Sequence, residues 1–251
     1  MLKKVAIIIP SRLASTRLAN KPLVDIAGKS MIERVYLQAK KVEGVEVFIA
    51  LDGQEIASEA KRIGAQYVIT DPNLPSGTDR INAAIQIINK NFDLIVNLQG
   101  DLPNISPDII KEAIKTALEN DADIVTLACK IKDLQEISNP NIVKIAISFD
   151  KKFGVDCGKA LYFSRSAIPY SKNSEQEYFH HIGLYVYKSS SLKKFVNLEP
   201  SPLEKRESLE QLRALESNMS ILVKIVNENP LSVDTAEDLE KVKELFINNG
   251  N

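Results

Sequence analysis

Four short apolar runs, each followed by a stretch of helical period, constrain this chain more tightly than any motif it carries. VAIII (Val5–Ile9) precedes SMIERVYLQAKKV (Ser30–Val42), and VEVFIAL (Val45–Leu51) precedes GQEIASEAKRIG. YVIT (Tyr67–Thr70) precedes TDRINAAIQIINK, and LIVNLQ (Leu94–Gln99) precedes SPDIIKEAIKTALEN, whose Ser106 and Pro107 read as N-cap and first helical residue. Strands that are apolar on both faces must be covered on both faces, and the amphipathic segments between them supply the cover. The expectation is an α/β fold with a doubly wound, mostly parallel, Rossmann-like sheet.

Further along, DIVTLACKI, IVKIAISF, GKALYFS and HHIGLYVYK (His180–Lys188) are strand-like runs with turn material between them and no helix of comparable length. This reads as an antiparallel insertion. A helix around SLEQLRALES (Ser208–Ser217), a strand ILVKIV (Ile221–Val226) and a last helix from Thr235 then restore the alternation. Asp234 is the expected N-cap of that helix, with Glu237 and Asp238 in the first turn, where they suit the helix dipole. The predicted organisation is a single domain over 1–251, with a core of 1–130 and 208–251 and the insertion at about 131–207.

Lys and Arg number 32 against 33 Asp and Glu, a net charge of -1, which offers no bulk electrostatic footprint for nucleic acid or an anionic membrane. An anionic ligand must therefore be met by a local cluster. The Val5–Ile9 run is too short for a signal segment or a membrane span and is followed at once by Pro10, Ser11 and Arg12, so a cytoplasmic location is expected. Cys129 and Cys157 have neither metal-ligand spacing nor a nearby His, which fits reduced structural thiols.

In open α/β sheets ligands bind outside the carboxyl ends of the strands, so the residues there are the candidates for chemistry. After the first run, PSRLASTRLANKPL carries Arg12, Arg17 and Lys21 and matches neither the dinucleotide fingerprint nor the Walker loop. Three converging cations can hold a triphosphate; the same residues also suit a solvated basic loop. In PSGTDRI, Ser76, Thr78 and Asp79 can cap a helix or bind a base or ribose edge, and Gly77 permits close backbone approach. NLQGDLPN presents Gln99, Gly100 and Asp101, and Asp101 is either a turn residue or a ligand for a hard cation. If Asp234 faces Asp101, the two form a carboxylate pair for Mg²⁺. Of the two histidines, alternation points one of His180 and His181 inward, and a bridging polar role suits a strand start better than a catalytic base.

Taken together, IIIPSRLASTRLANKPL, PSGTDRI, LQGDLPNISP, ALYFSRSAIPY, HHIGLYVY, LEQLRALE and VDTAEDL resemble, in order and over nearly the whole chain, the 3-deoxy-manno-octulosonate (Kdo) cytidylyltransferases. The resemblance implies a nucleotidyltransferase fold and a reaction in which the anomeric hydroxyl of Kdo attacks the α-phosphate of CTP. CMP-Kdo, for lipopolysaccharide synthesis, and pyrophosphate result, with Mg²⁺ as cofactor. Carried over residue by residue, Arg12, Arg17 and Lys21 would hold the phosphates, Ser76 and Asp79 would lie by the nucleotide, and Asp101 and Asp234 would bind the metal. Arg12, Lys21, Asp101 and Asp234 form the implied catalytic set. Gln99, Arg165, His181, Glu210 and Gln211 would line the sugar site, with Arg165 as partner to the sugar carboxylate, and the insertion would form a homodimer surface.

The chain departs from the family pattern at Leu102, where an acidic residue usually follows the metal Asp, and at Leu51, where Thr is usual. Ala19 and Asn20 stand where Pro and Gly are usual. Two alternatives stay open: activation of another acidic keto-sugar, and a paralogue that binds CTP or a CMP-sugar with weak catalysis because of Leu102.

Overall fold

The computed structural model describes residues 3–13, 18–172 and 177–248. The chain divides into two compact units, residues 1–111 with 230–251, and residues 112–229.

The first unit is built on β1 (Val5–Ser11), which pairs in parallel with β4 (Val45–Leu51) on one side and β6 (Leu94–Leu98) on the other; β5 (Gln66–Ile69) adds in parallel outside β4. Ile7, Ile8 and Ile9 are fully buried, as a central strand covered on both faces requires. A hairpin of β2 (Asp25–Ile26) and β3 (Lys29–Ser30) leads into α1 (Met31–Lys40), where Ser30 caps by accepting from the Glu33 amide. Buried Arg34 of α1 donates to the carbonyls of Ile26 and Ala27 and stacks 3.9 Å over the ring of Phe246, so one cation ties hairpin, first helix and last helix together. The other helices are α2 (Gln54–Arg62), α3 (Gly77–Ile88) and, after the second unit, α9 (Ala236–Asn248). Along α4 (Pro107–Glu119) the chain passes into the second unit.

In the second unit β7 (Ile124–Lys130) is flanked by β10 (Phe179–Lys188), antiparallel, and β11 (Ile221–Val226), parallel. Beyond β11 lie β9 (Cys157–Ser164) and β8 (Lys144–Phe149), each antiparallel to its neighbour. The strands expected at 131–207 thus belong to a larger unit, because β7 and β11 pair with β10 and β9. The insertion also carries helices that periodicity did not reveal: α5 (Leu134–Ser138), α6 (Ser189–Val196) and α7 (Pro202–Glu207), each of no more than eight residues. The helix expected at Ser208–Ser217 is shorter, α8 (Gln211–Glu216), because Ser208 adopts a left-handed conformation (φ 54°) that ends α7 and separates the two.

Lys144 is fully buried, and its ammonium donates to the carbonyls of Asn139, Ile142 and Arg165 at 2.8, 2.6 and 2.5 Å. Cys129 and Cys157 are buried free thiols, and burial pushes Cys129 up to about 11.

Candidate active site

The ends of β1 and β6 and the segment before α9 enclose a pocket of about 280 Å³. Close approach is what brings them together. A Cβ on Gly100 would stand 3.0 Å from the Pro10 carbonyl, so glycine lets the β6 turn pass the end of β1 without pushing that backbone aside. The Val233 amide donates to the Asp101 carbonyl at 3.0 Å, which pins the segment before α9 against the same turn. Asp101 and Asp234, distant in sequence, therefore open on one point. Lys21 occupies that point: its Nζ lies 2.9 Å from Asp101 Oδ2 and 2.9 Å from Asp234 Oδ1. Burial pulls the ammonium down, but the charge and hydrogen bonds of Asp101, followed by those of Asp234, outweigh it and leave its pKa raised.

Lys21 opens a short 3-10 turn, Lys21–Leu23, preceded by Asn20 in the left-handed region (φ 50°). Asn is among the few non-glycine residues that visit this region readily, which accounts for its standing where Gly is usual.

The expected capping role of Asp234 is corrected. Asp238 accepts from the amides of Asp234 and Thr235, while the Thr235 hydroxyl accepts from the Asp238 amide. Thr235 and Asp238 thus form the reciprocal box, and the Asp234 side chain turns to Lys21 instead.

Of the residues expected from sequence, Arg12, Lys21, Ser76, Gln99, Asp101 and Asp234 all line the pocket. Arg17 lies outside the described residues. Asp79 is not among the lining residues: it accepts from the Ser76 hydroxyl at 2.7 Å while its amide donates back to Ser76 Oγ at 3.1 Å. The capping reading of that pair therefore holds, and Ser76 both caps α3 and faces the pocket.

Two polar lining residues were not among the candidates read from the sequence. Arg80 is buried and donates to Thr70 Oγ1 at 2.6 Å and to Asp52 Oδ2 at 3.2 Å. Asp52 also accepts from the Leu13 amide, so one carboxylate binds α3 to the chain just after Arg12. Burial lowers the Arg80 pKa, Asp52 opposes that, and the nearby charge of Arg12 lowers it further. The signal was Arg80's place one residue after Asp79 in PSGTDRI. Ser11 is the other: its Oγ is buried without a hydrogen-bond partner among the described residues.

The second unit holds the other residues implied for the sugar. Arg165 donates from Nε to the Glu207 carbonyl and from Nη1 to the Pro140 carbonyl, at 2.9 and 3.0 Å. His181 is buried, with Nε2 3.0 Å from Thr126 Oγ1 and its ring edge-on to Phe163. Burial, with His180 beside it, pushes the His181 imidazole down to about 3, so it is neutral at physiological pH. This is the bridging role expected of a strand-start histidine. Gln211 is buried at the start of α8, and Glu210, after burial itself, helps push the Tyr185 phenol up.

Two carboxylates converging on one cation suit a hard divalent ion that keeps its other positions for phosphate and water. Among the described residues no group of three or more His, Cys, Asp or Glu could hold a metal. The pair fits a metal shared with a ligand rather than one caged by protein.

A parallel sheet whose strand ends gather basic side chains opposite two carboxylates defines a nucleotidyltransferase-like fold. The cytidylyltransferase family model matches residues 6–221. The 3-deoxy-manno-octulosonate cytidylyltransferase of Rickettsia bellii is 44% identical over 245 residues, 96% of each chain. That of Brucella anthropi is 45% identical over 242 residues, 96% of this chain and 95% of the relative. A solved CMP:2-keto-3-deoxy-manno-octonic acid synthetase complexed with CTP superposes with a TM-score of 0.91 at 35% identity, covering 98% of this chain and 99% of its own. A 4-diphosphocytidyl-2C-methyl-D-erythritol synthase from Anaerococcus prevotii shares the fold alone, with a TM-score of 0.65 at 12% identity over 98% of this chain and 99% of its own. The chain belongs to the 3-deoxy-manno-octulosonate cytidylyltransferase family.

Proposed function

We infer that the protein activates Kdo with CTP, forming CMP-Kdo and pyrophosphate for lipopolysaccharide synthesis. The observation that carries this reading is the meeting of Lys21, Asp101 and Asp234 in a pocket also lined by Arg12 and Arg80, in a chain 44% identical to enzymes of that name. In the reaction the anomeric oxygen of the sugar bonds to the α-phosphorus, the bond to the bridging oxygen of pyrophosphate breaks, and the hydroxyl proton is released to solvent. Charge builds on the leaving pyrophosphate, so fixed cations at the triphosphate stabilise the transition state more than the ground state. Arg12, Arg17, Lys21 and Arg80 take that role, with Ser76 and Asp79 at the nucleotide end.

Asp101 and Asp234 would hold a divalent ion, which we take to be Mg²⁺; when bound it supplies further neutralisation at the phosphates. Gln99, Arg165, His181, Glu210 and Gln211 are assigned to the sugar, with Arg165 facing its carboxylate. Because His181 is neutral, it recognises the sugar as a hydrogen-bonding group and not as a cation. Leu134, Phe149, Val155, Leu161 and Tyr170, all in the insertion, are large apolar side chains left exposed, which supports a homodimer through that region. The reaction draws on CTP, which favours a cytoplasmic location; among the described residues no helix is long and apolar enough to cross a membrane.

The test is release of pyrophosphate from CTP in the presence of Mg²⁺ with Kdo, with other acidic keto-sugars, and with each omitted. Kdo-dependent release is expected. Binding of CTP without turnover on any acidic sugar would move the protein to the binding-only alternative.

A further inference from the structure

Behind Gln99 runs a short line of hydrogen bonds, half-buried at Gln99 and buried beyond it, that the activity above does not use. Gln99 Nε2 donates to Asn97 Oδ1 at 2.7 Å, and Asn97 Nδ2 donates to Thr78 Oγ1 at 3.4 Å. Asn97 in β6 and Thr78 in α3 are each 1% exposed. Alternation along the strand puts 97 and 99 on one face, so the two amides are neighbours by construction.

A carboxamide has a donor end and an acceptor end, and a buried partner decides which way it faces. With its nitrogen on Asn97, Gln99 has Oε1 left for the pocket it lines, and this oxygen has no protein partner among the described residues. Turning Gln99 over would set Oε1 against Asn97 Oδ1, two acceptors without a proton between them. In the structure Asn97 donates to Thr78 Oγ1; the opposite run of donors, from the Thr78 hydroxyl through Asn97 to Gln99 Oε1, would turn the Gln99 nitrogen to the pocket, and Asn97→Asp, whose carboxylate can only accept, tells the two apart.

We propose that Asn97 is a positioning residue that fixes Gln99 with its carbonyl oxygen toward the pocket, so that the site selects a sugar hydroxyl able to donate at that point. The inference rests on the activity proposed above, with the acidic sugar bringing the hydroxyl.

Steady-state kinetics of pyrophosphate release on wild type, Asn97→Leu and Asn97→Asp test it, using Kdo and analogues each lacking one hydroxyl, with melting curves alongside. Asn97→Leu keeps the volume and frees Gln99 to turn. Its sugar KM should rise about tenfold, and its preference for Kdo over one particular deoxy analogue should fall about as much, with the KM for CTP held within about twofold. Asn97→Asp still accepts from Gln99 and can accept from the Thr78 hydroxyl, so it should recover both sugar KM and preference. Unchanged sugar KM and preference in folded Asn97→Leu overturn the proposal. So does an equal rise for CTP and sugar, which is the mark of general distortion. If Asn97→Leu does not fold, Asn97→Asp decides alone: retained preference supports the assigned polarity, and lost preference overturns it. Absence of Kdo-dependent turnover in the wild type is a separate result, which overturns the proposed activity and this inference with it.

Discussion

Replacing Asp234 by Asn separates a metal ligand from a structural cap, because the two roles predict different losses. Its Oδ1 lies 2.9 Å from Lys21 Nζ, and at an effective dielectric of about 20 that distance corresponds to roughly 6 kcal/mol of gross attraction. The side chain is 36% exposed, so hydration given up in forming the pair and solvent screening offset most of this, leaving about 1 kcal/mol. Spread over a chain of this size, the melting temperature should fall by only about 2–4 °C. The helix start should hold, since Thr235 and Asp238 supply the cap. Turnover should fall far more: one of two anionic ligands is gone, and a loss of about a hundredfold in kcat corresponds to about 3 kcal/mol on the barrier. Pyrophosphate release measured at stepped Mg²⁺, beside a melting curve, reads both quantities. The Mg²⁺ concentration for half-maximal rate should rise. A fully active Asp234→Asn enzyme with unchanged Mg²⁺ dependence would refute the assignment of that residue to the metal.

Arg165→Lys should raise the sugar KM with the KM for CTP nearly unchanged, since an ammonium cannot make the bidentate pair a guanidinium offers a carboxylate. Some stability should be lost with it, because Arg165 also holds the Pro140 and Glu207 carbonyls; equal weakening of both substrates in kinetics would count against a sugar-specific role. His181 has a folded pKa of about 3 against an ordinary 6.5, so between those values the unfolded chain binds a proton that the native one refuses. Its contribution is therefore fully present above about pH 6.5 and is lost as the pH falls toward 3, by a few kcal/mol at most. His180, which burial pushes down to about 4, adds a loss of the same sign, so urea melts between pH 7 and pH 4.5 should show both and His181→Gln should reduce the slope without abolishing it; an unchanged slope would mean that His181 does not carry acid sensitivity. Ser11→Ala removes a buried hydroxyl without a partner and should raise the stability of the ligand-free protein by about 1 kcal/mol, and a lower melting temperature would show that Ser11 is paired.

β1, β4 and β6 were legible because burial on both faces leaves an unbroken apolar run, and each such run became a strand within a residue or two. Short helices were not: α5, α6 and α7 span fewer residues than periodicity needs to stand out, and α7 is marked mainly by its Ser201–Glu204 capping box. In the site, charged residues at strand ends were legible by chemistry alone. Which of two neighbouring polar residues does the capping was not, since Asp234 and Thr235 are equally good caps on paper and it is the tertiary pairing of Asp234 with Lys21 that divides them. Arg80 and Asp52 escaped because a buried ion pair is a property of two distant positions, and neither residue announces its partner.

The two leucine departures from the family pattern bear on whether the protein turns over substrate or only binds it. Leu51 ends β4 fully buried, paired with Ser11 on one side and Ile69 on the other, so its side chain belongs to the core and not to the pocket. Leu102, next to Asp101, is likewise buried and is not among the lining residues. A carboxylate at position 102 would have to lose its hydration on burial or draw the turn outward, at a cost of several kcal/mol if its charge stayed unpaired. Leucine is buried there without that cost, and Asp101 is held in place by the Val233 amide and by Lys21. What Leu102 lacks in charge is therefore not missing from the point where Asp101 and Asp234 meet. The binding-only alternative had Leu102 as its motive, and with that side chain in the core, the retained Arg12, Lys21, Asp101 and Asp234 favour catalysis.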